Sequence, residues 1–343
     1  MPQQLNWGLI STGRISGTFA RGLAHSKTGR LLAVGSRTQE AADRFGKEHN
    51  VLRCYGSYEA LLADKDVQAV YVSTPHPMHA EWAIKAAEAG KHILCEKPIG
   101  VNHAEATAII EAARKHDVFL MEAFMYRCHP QTHKIIELVR SGAIGEVRVV
   151  HATFSFRAPR DANPRIYGKE LAGGGILDVG CYCTSMSRLI AGVATGGDFA
   201  EPIELEGVGH LGPTGVDEYA SAVLKFPGEI IANIACGVAV QQDNHVRIFG
   251  TKGHLVVPWP WIPQREGGTS RIFLHKPDDS APQEILVRCD EWLYGMEADT
   301  VAANIERRQA PPPAMTWDDT LGNMKTLDRW RESIGLVYEF ERR

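Results

Sequence analysis

The chain has 343 residues, 44% hydrophobic and 23% charged, which excludes a disordered polymer and, at roughly 150 residues per domain, suggests two domains. Thirty-seven basic residues face 41 acidic ones, for a formal charge of −4, which leaves no electrostatic footprint for a nucleic-acid partner. No apolar run of about 18 residues is present, so no membrane partner is expected. The start, Met1-Pro2-Gln3-Gln4-Leu5-Asn6-Trp7, lacks a charged segment followed by an apolar one and does not read as a signal peptide. Seven cysteines (Cys54, Cys95, Cys128, Cys181, Cys183, Cys236 and Cys289) are an odd number spread thinly. They read as reduced thiols of a cytoplasmic protein.

Residues 1–125 alternate short β-branched apolar runs with amphipathic ones. Trp7–Ile10, Leu31–Val34, Ala69–Val72, His92–Leu94 and Val118–Met121 have the length and composition of buried parallel strands. Between them, helices are expected over Ser57–Leu62, over Met78–Ala89 with Gly90 as its C-cap, and over Asn102–His116 with Asn102 as N-cap and Glu105 three residues on. This alternation implies an α/β fold, a doubly wound parallel sheet of the Rossmann kind. After about residue 145, within an expected second domain of residues 126–343, the texture changes. Val147–Phe156, Ile203–His210, Glu218–Phe226, Ile230–Cys236 and Val246–Phe249 are longer strand-like runs, some joined by turn signals at Phe226-Pro-Gly-Glu229 and Gly250-Thr-Lys-Gly253. With a helix near Val179–Ala191, this reads as an α+β domain with a large, mostly antiparallel open sheet. Pro311–Pro313 reads as a stiff connector to a final helix, roughly Trp317–Ile334, expected to pack back on the first domain.

The first strand runs into Ser11-Thr-Gly13-Arg14-Ile15-Ser16, a degraded form of G-x-G-x-x-G. A strand, a tight small-residue turn and a helix form the setting in which a dinucleotide's pyrophosphate rests on free backbone N–H groups. An ordinary small-residue turn is the plainer alternative. The second strand ends in Ser36-Arg37, without the Asp or Glu that would bind a ribose 2′-hydroxyl. A guanidinium there favours the 2′-phosphate of NADP over NAD, unless Arg37 is merely solvated at the start of the next helix.

After Leu94 comes Cys95-Glu96-Lys97-Pro98. A lysine at the carboxyl end of a parallel strand can orient a substrate hydroxyl and depress the pKa of a neighbouring acid. Gly173-Gly-Gly-Ile-Leu-Asp178-Val-Gly-Cys-Tyr182 leads into a helix, and four-residue spacing would put Asp178 and Tyr182 on one face. A tyrosine near its free pKa of about 10 needs such an ammonium to act as a base at neutral pH. A helix-capping Asp178 and a packed Tyr182 are the alternative. No metal site is expected, since the close pair Cys181-x-Cys183 would point apart on a helix.

These motifs in this order, together with WGLISTGRIS, YGSYEALLADKDVQAVYVSTPHPMH, LCEKPIGVN, FLMEAF and FPGE, resemble the Gfo/Idh/MocA oxidoreductase family over nearly the whole chain. The likeness is nearest its dimeric dihydrodiol dehydrogenase / NADP-dependent D-xylose dehydrogenase branch. The resemblance implies a Rossmann domain followed by a substrate-binding and dimerisation domain, with a homodimer through the C-terminal sheet. It also implies catalytic roles for Lys97, Asp178 and Tyr182. Cofactor contacts are implied at Ser11, Gly13, Arg14, Ile15, Ser36, Arg37, Thr74, His76, His79, Glu96 and Lys97. Met125-Tyr126-Arg127-Cys128-His129 departs from the more aromatic run of the family's dihydrodiol enzymes. That change implies a polar pocket in which Arg127 and His129 meet substrate hydroxyls beside Asp178 and Tyr182.

The expected function is NADP-dependent hydride transfer, with NAD possible, between nicotinamide and a sugar or sugar-derived carbinol or carbonyl, an aldose 1-dehydrogenase type first. Alternatives are a keto-sugar reductase, a trans-dihydrodiol dehydrogenase and an aldose–aldose oxidoreductase that retains its cofactor. From another class stands a non-catalytic NADP-binding regulator, though the joint presence of Lys97, Asp178 and Tyr182 favours an enzyme.

Overall fold

The computed structural model describes residues 4–342. Six strands form a parallel sheet: β1 (Leu5–Ile10), β2 (Gly29–Gly35), β3 (Arg53–Tyr55), β4 (Ala69–Val72), β5 (His92–Glu96) and β6 (Leu120–Ala123). Their spatial order, β3-β2-β1-β4-β5-β6, reverses between β1 and β4, and a crevice at such a switch point is where open α/β sheets bind ligands. Helices α1 (Arg14–Leu23), α2 (Gln39–His49), α3 (Tyr58–Leu62), α4 (His79–Glu88) and α5 (His103–Lys115) connect the strands. Because helices flank the sheet, β4 and most of β1 and β5 are buried along their length, which is why they read as uninterrupted apolar runs. Gly90 follows α4 with φ 70, and Asn102 Oδ1 accepts from Glu105 N at 2.9 Å, as their spacing implies.

The rest of the chain begins with α6 (Pro130–Arg140) and builds the eight-stranded sheet β14-β13-β12-β11-β7-β10-β9-β8. Its strands are β7 (Val147–Ser155), β8 (Glu204–Leu211), β9 (Asp217–Phe226), β10 (Ile230–Gly237), β11 (Val246–Gly250), β12 (Gly253–Val257), β13 (Gly268–His275) and β14 (Gln283–Cys289). All neighbours are antiparallel except β7 and β10. From Ala220 on, β9 buries every second residue, the signature of a sheet with one face on the core and one on solvent. The expected turns join β9 to β10, with Gly228 at φ 76, and β11 to β12, where Gly250 pairs with Gly253. Strands β12 to β14, β3 and helix α6 were not anticipated from the residue pattern.

After a four-residue helix α7 (Pro164–Tyr167), a π-turn over Ile176–Gly180 and α8 (Cys181–Ala194) lie on the core side of this sheet. The chain then returns to the parallel sheet. Helix α9 (Leu293–Asn304) packs on α1, and α10 (Trp317–Ser333) packs on α5 as well as α8. Thr320 donates to the buried Glu122 of β6 at 2.9 Å. No helix among the described residues is long and apolar enough to cross a membrane.

Candidate active site

The connection from β1 to α1 is built around Ser11, which stands at φ 114, a backbone region that costs a side-chain-bearing residue on the order of 1 kcal/mol. Its hydroxyl accepts from Gly13 N at 3.2 Å. Gly13 caps α1 without a side chain, and the first turn carries no acidic residue. Its free N–H groups and positive dipole end are therefore available to an anion. A Cβ on Gly13 would meet only Ser11 Oγ, at 3.5 Å. Arg14 is exposed and Ile15 half-buried, whereas Ser16 turns inward, its hydroxyl 2.8 Å from that of Ser73 beyond β4. Past β2, the buried Ser36 hydroxyl lies 3.2 Å from that of Thr12. Arg37 is exposed and makes no ion pair among the described residues. Thr74 Oγ1 is buried with no protein partner. A bare helix N-terminus, a free guanidinium and an orphaned hydroxyl together fit a phosphorylated dinucleotide.

Lys97 leaves the carboxyl end of β5 and reaches the π-turn. Its Nζ donates to the backbone carbonyl of Asp178 at 2.7 Å and lies 3.8 Å from Asp178 Oδ1. It also stands 5.1 Å from the centroid of the Tyr182 ring. Lys97, Asp178 and Tyr182 thus converge, although the π-turn interrupts the single α-helical face expected for the last two. Burial alone would raise the Asp178 carboxyl, but Lys97 and Arg165 hold it down at about 2. Burial lowers Lys97, but Asp178, with Cys181 and Glu96 adding to it, outweighs this and leaves the ammonium raised. The pair is ionised.

Tyr182 overturns one expectation. Its hydroxyl donates to Met125 Sδ at 3.4 Å and not to Lys97. Burial, with Glu96 nearby, pushes its phenol well above 10. The ammonium faces the ring and not the hydroxyl, so Tyr182 is held as a protonated acid. Phe124, Tyr126, Phe154 and Trp261 surround it with ring centroids 5.1–5.9 Å away.

Four other expected site residues are engaged elsewhere. Arg127 is buried, pairing with Asp319 at 2.7 Å and donating to Ser185 Oγ and Pro313 O. It is a core ion, not a substrate contact. His129 is fully buried and caps α6, its Nδ1 accepting from Gln131 N at 3.0 Å, while burial holds its pKa at about 4. The polar pocket inferred from this segment is therefore absent: Arg127 and His129 turn into the core, and Met125 and the Tyr126 ring are what reach Tyr182. The two ring nitrogens of His79 lie 2.8 Å from Thr74 O and Pro98 O, so this buried ring clasps backbone and does not line a cleft. Glu96 is buried against the Tyr71 hydroxyl. His76 does border the cluster, with burial and then Arg165 keeping its imidazole well below 6.5. The residue that sequence reasoning missed is Arg165, whose half-exposed guanidinium lies 3.2 Å from Asp178 Oδ1. The signal was the run Arg157-x-x-Arg160-x-x-x-x-Arg165 ahead of the three glycines.

Residues 5–124 match the model of an oxidoreductase family with an NAD-binding Rossmann fold. Residues 132–256 match the Gfo/Idh/MocA C-terminal domain. The trans-1,2-dihydrobenzene-1,2-diol dehydrogenase of Xenopus laevis is 38% identical over 97% of this chain and 98% of its own. The chain belongs to the Gfo/Idh/MocA oxidoreductase family. Among solved structures, this family member is similar to an aldose-aldose oxidoreductase from Caulobacter crescentus, with 26% identity, a TM-score of 0.83, and 96% and 97% of the two chains covered. A 3-ketoreductase from Actinomadura kijaniata, solved with NADP and TDP-benzene, shares the fold at a TM-score of 0.86 and 24% identity over 97% and 98%. The fold and the oxidoreductase class thus agree with the expectation drawn from the motifs.

Proposed function

We propose that this oxidoreductase uses NADP to exchange a hydride with a sugar or sugar-derived carbinol or carbonyl. The observation that carries this reading is the ionised Lys97–Asp178 pair against the Tyr182 ring, on a strand one place from the switch point where α1 offers its bare N-terminus. The relatives named for dihydrodiol and sugar substrates, and the neighbour solved with NADP, support it. Gly13, Arg14 and Ile15 would hold the pyrophosphate, Arg37 with Ser36 the 2′-phosphate, and Thr74 a polar group of the same ligand.

NADP(H), when bound, supplies or takes up the hydride. Lys97, kept charged by Asp178, would bind the substrate oxygen and oppose negative charge building on it. Tyr182, kept protonated by its surroundings, would give that oxygen its proton during reduction. Oxidation would need Tyr182 as its phenolate to accept a proton, a form its surroundings disfavour, so the resting arrangement suits carbonyl reduction. Asp178 orients the ammonium and Arg165 orients Asp178.

A panel of aldoses, cyclitols and a trans-dihydrodiol with NADP⁺ and NAD⁺, and of keto sugars with NADPH, followed by nicotinamide absorbance, tests the reading. Turnover on one sugar class that falls at least about 100-fold in Lys97→Met and Tyr182→Phe supports it. Variants within a few-fold of wild type would sink it. The aromatic wall of Phe124, Tyr126, Phe154 and Trp261 favours a second reading, a trans-dihydrodiol, now that Arg127 and His129 no longer speak for a polar pocket.

The finer calls on organisation belong to the same proposal. They are a division into residues 1–125 and 126–343, and a homodimer through the open sheet face, where Val208, Val223, Ile231 and Leu286 are exposed. They also include a cytoplasmic setting in which all seven cysteines stay free. Val223→Asp with light scattering tests the dimer, which should fall to half its mass.

A further inference from the structure

The run Gly173-Gly174-Gly175 was read only as part of a motif, and the structure gives it a partner. Asp217, at the start of β9, is completely buried. A buried carboxylate is costly unless its oxygens are hydrogen-bonded. Oδ2 of Asp217 accepts from Ile176 N at 2.6 Å, while Oδ1 has no partner. Ile176 opens the π-turn, and the residue before it, Gly175, offers no capping side chain. A helical turn begins with N–H groups that nothing in the turn can satisfy. Asp217 supplies from a distant strand the cap that the local sequence omits.

The glycines are what let it come so close. Gly174 has φ 117, and a Cβ there would land on Asp217 Oδ1. A Cβ on Gly175 would lie 3.3 Å from Oδ2 and 3.2 Å from Gly237 Cα. Any larger residue at Gly174 displaces the carboxylate from Ile176. On the other side, Tyr338 donates to Gly173 O at 2.7 Å, so the turn is gripped at its entry from two directions. Two residues past Ile176 comes Asp178, whose carbonyl and carboxylate both face Lys97. Four residues further is Tyr182. The positions of all three follow from where this turn starts.

We propose that Asp217 is a positioning residue for the reaction: its buried carboxylate anchors the π-turn at Ile176 and so holds Asp178 against Lys97. This rests on the catalytic reading of Lys97, Asp178 and Tyr182. The carboxylate touches none of the reacting groups itself. Its effect falls on kcat and not on nicotinamide nucleotide binding, because the loop at Gly13 belongs to the other sheet. π-turns are often found at functional sites, which fits a turn kept in an unfavourable winding by an outside anchor.

Steady-state kinetics, NADPH fluorescence titration and hydrogen–deuterium exchange on the full chain test it. Asp217→Ala should lower kcat at least about 10-fold, leave NADPH affinity within about 2-fold and speed exchange over residues 174–182. Asp217→Asn keeps an acceptor oxygen for Ile176 N and should restore kcat to within about 3-fold of wild type and slow exchange again. Gly175→Ala, which leaves the carboxylate in place but crowds it, should lower kcat several-fold, and it decides the matter if Asp217→Ala does not fold. Unchanged kcat in Asp217→Ala, or faster exchange with unchanged kcat, overturns the proposal. So does an Asp217→Asn variant as impaired as Asp217→Ala. If the wild-type chain turns over no compound in the panel, the functional reading fails by itself. The anchor is then judged by whether exchange over 174–182 rises in Asp217→Ala and recovers in Asp217→Asn.

Discussion

Two cation–carboxylate clusters lie along the same stretch of chain around α8, and they are built on different terms. In one, Arg127 and Arg188 converge on Asp319, with neither arginine side chain more than 1% exposed. Arg127 also donates to Ser185 and Pro313, and Arg188 to the carbonyl of Asp319. In the other, Lys97 stands off at 3.8 Å from Asp178 Oδ1, and Arg165 keeps 40% of its side chain in solvent. The first cluster has used most of its hydrogen-bonding capacity on the protein. The second retains capacity for a ligand. Motif reading placed Arg127 among the substrate contacts because an arginine in sequence does not reveal how its donors are occupied.

The sharpest way to test that contrast is to remove one charge from each cluster. Lys97→Met should reduce kcat/KM by about 10²- to 10⁴-fold while thermal unfolding stays within a few degrees of wild type. A folded but unaffected enzyme would erase the distinction. Asp319→Asn does the reverse. It leaves Arg127 buried without a carboxylate and should destabilise the chain by about 3–5 kcal/mol, read by denaturant unfolding, with folded protein still binding NADPH.

His129, in the same turn as Arg127, is neutral in the folded chain because burial holds its pKa at about 4. The unfolded imidazole protonates near 6.5, so this contribution to stability is complete above 6.5 and is lost as pH falls toward 4. The lost amount is at most about 3 kcal/mol. His129→Asn keeps an N-cap for α6 but cannot titrate, so its unfolding midpoint should fall less than wild type over that interval. Buried Asp217 and Glu122, both pushed up to about 7, titrate oppositely, and the comparison of variant with wild type cancels them.

On the ligand-facing side, Arg37→Ala should weaken NADP(H) binding about 10- to 100-fold and leave NAD(H) nearly unchanged, measured by fluorescence titration. Equal losses for both nucleotides would return Arg37 to a solvated surface role. The smallest effect belongs to Ser11→Gly, which relieves the positive φ and should stabilise the chain by up to about 1 kcal/mol. A loss of stability there would mean that the Ser11 hydroxyl on Gly13 N outweighs the backbone strain.

Legibility varied with the kind of physics involved. Strands β1, β4 and β5 were visible because burial on both faces leaves a continuous apolar run. The caps at Gly90 and Asn102 were visible because they are local chemistry. Strands β12 to β14 lie near or at one edge of the open sheet, where only one face is buried, and their side chains alternate too weakly to announce themselves. The convergence of Lys97, Asp178 and Tyr182 was legible through family likeness. The direction of the Tyr182 hydroxyl was not, since it depends on Met125 and on four aromatic rings from β7 and from the segments after β6 and β12. Arg165 and Asp217 escaped notice because their partners lie 13 and 41 residues away.

The amino-acid sequence by itself determined the alternating α/β half, the small-residue loop after β1, the NADP-type end of β2 and the order of the motifs that carry Lys97, Asp178 and Tyr182. Each is written in neighbours a few residues apart, through periodicity, capping or backbone freedom. Tertiary structure decided which of the charged residues remain free to act. Whether Arg127, His79 or Glu96 meets a ligand or is consumed by a carboxylate, a carbonyl or a phenol depends on what the fold brings to it. Burial and neighbouring charge then set protonation: Lys97 and Arg165 hold Asp178 ionised against burial, and burial holds Tyr182 protonated beside the same ammonium.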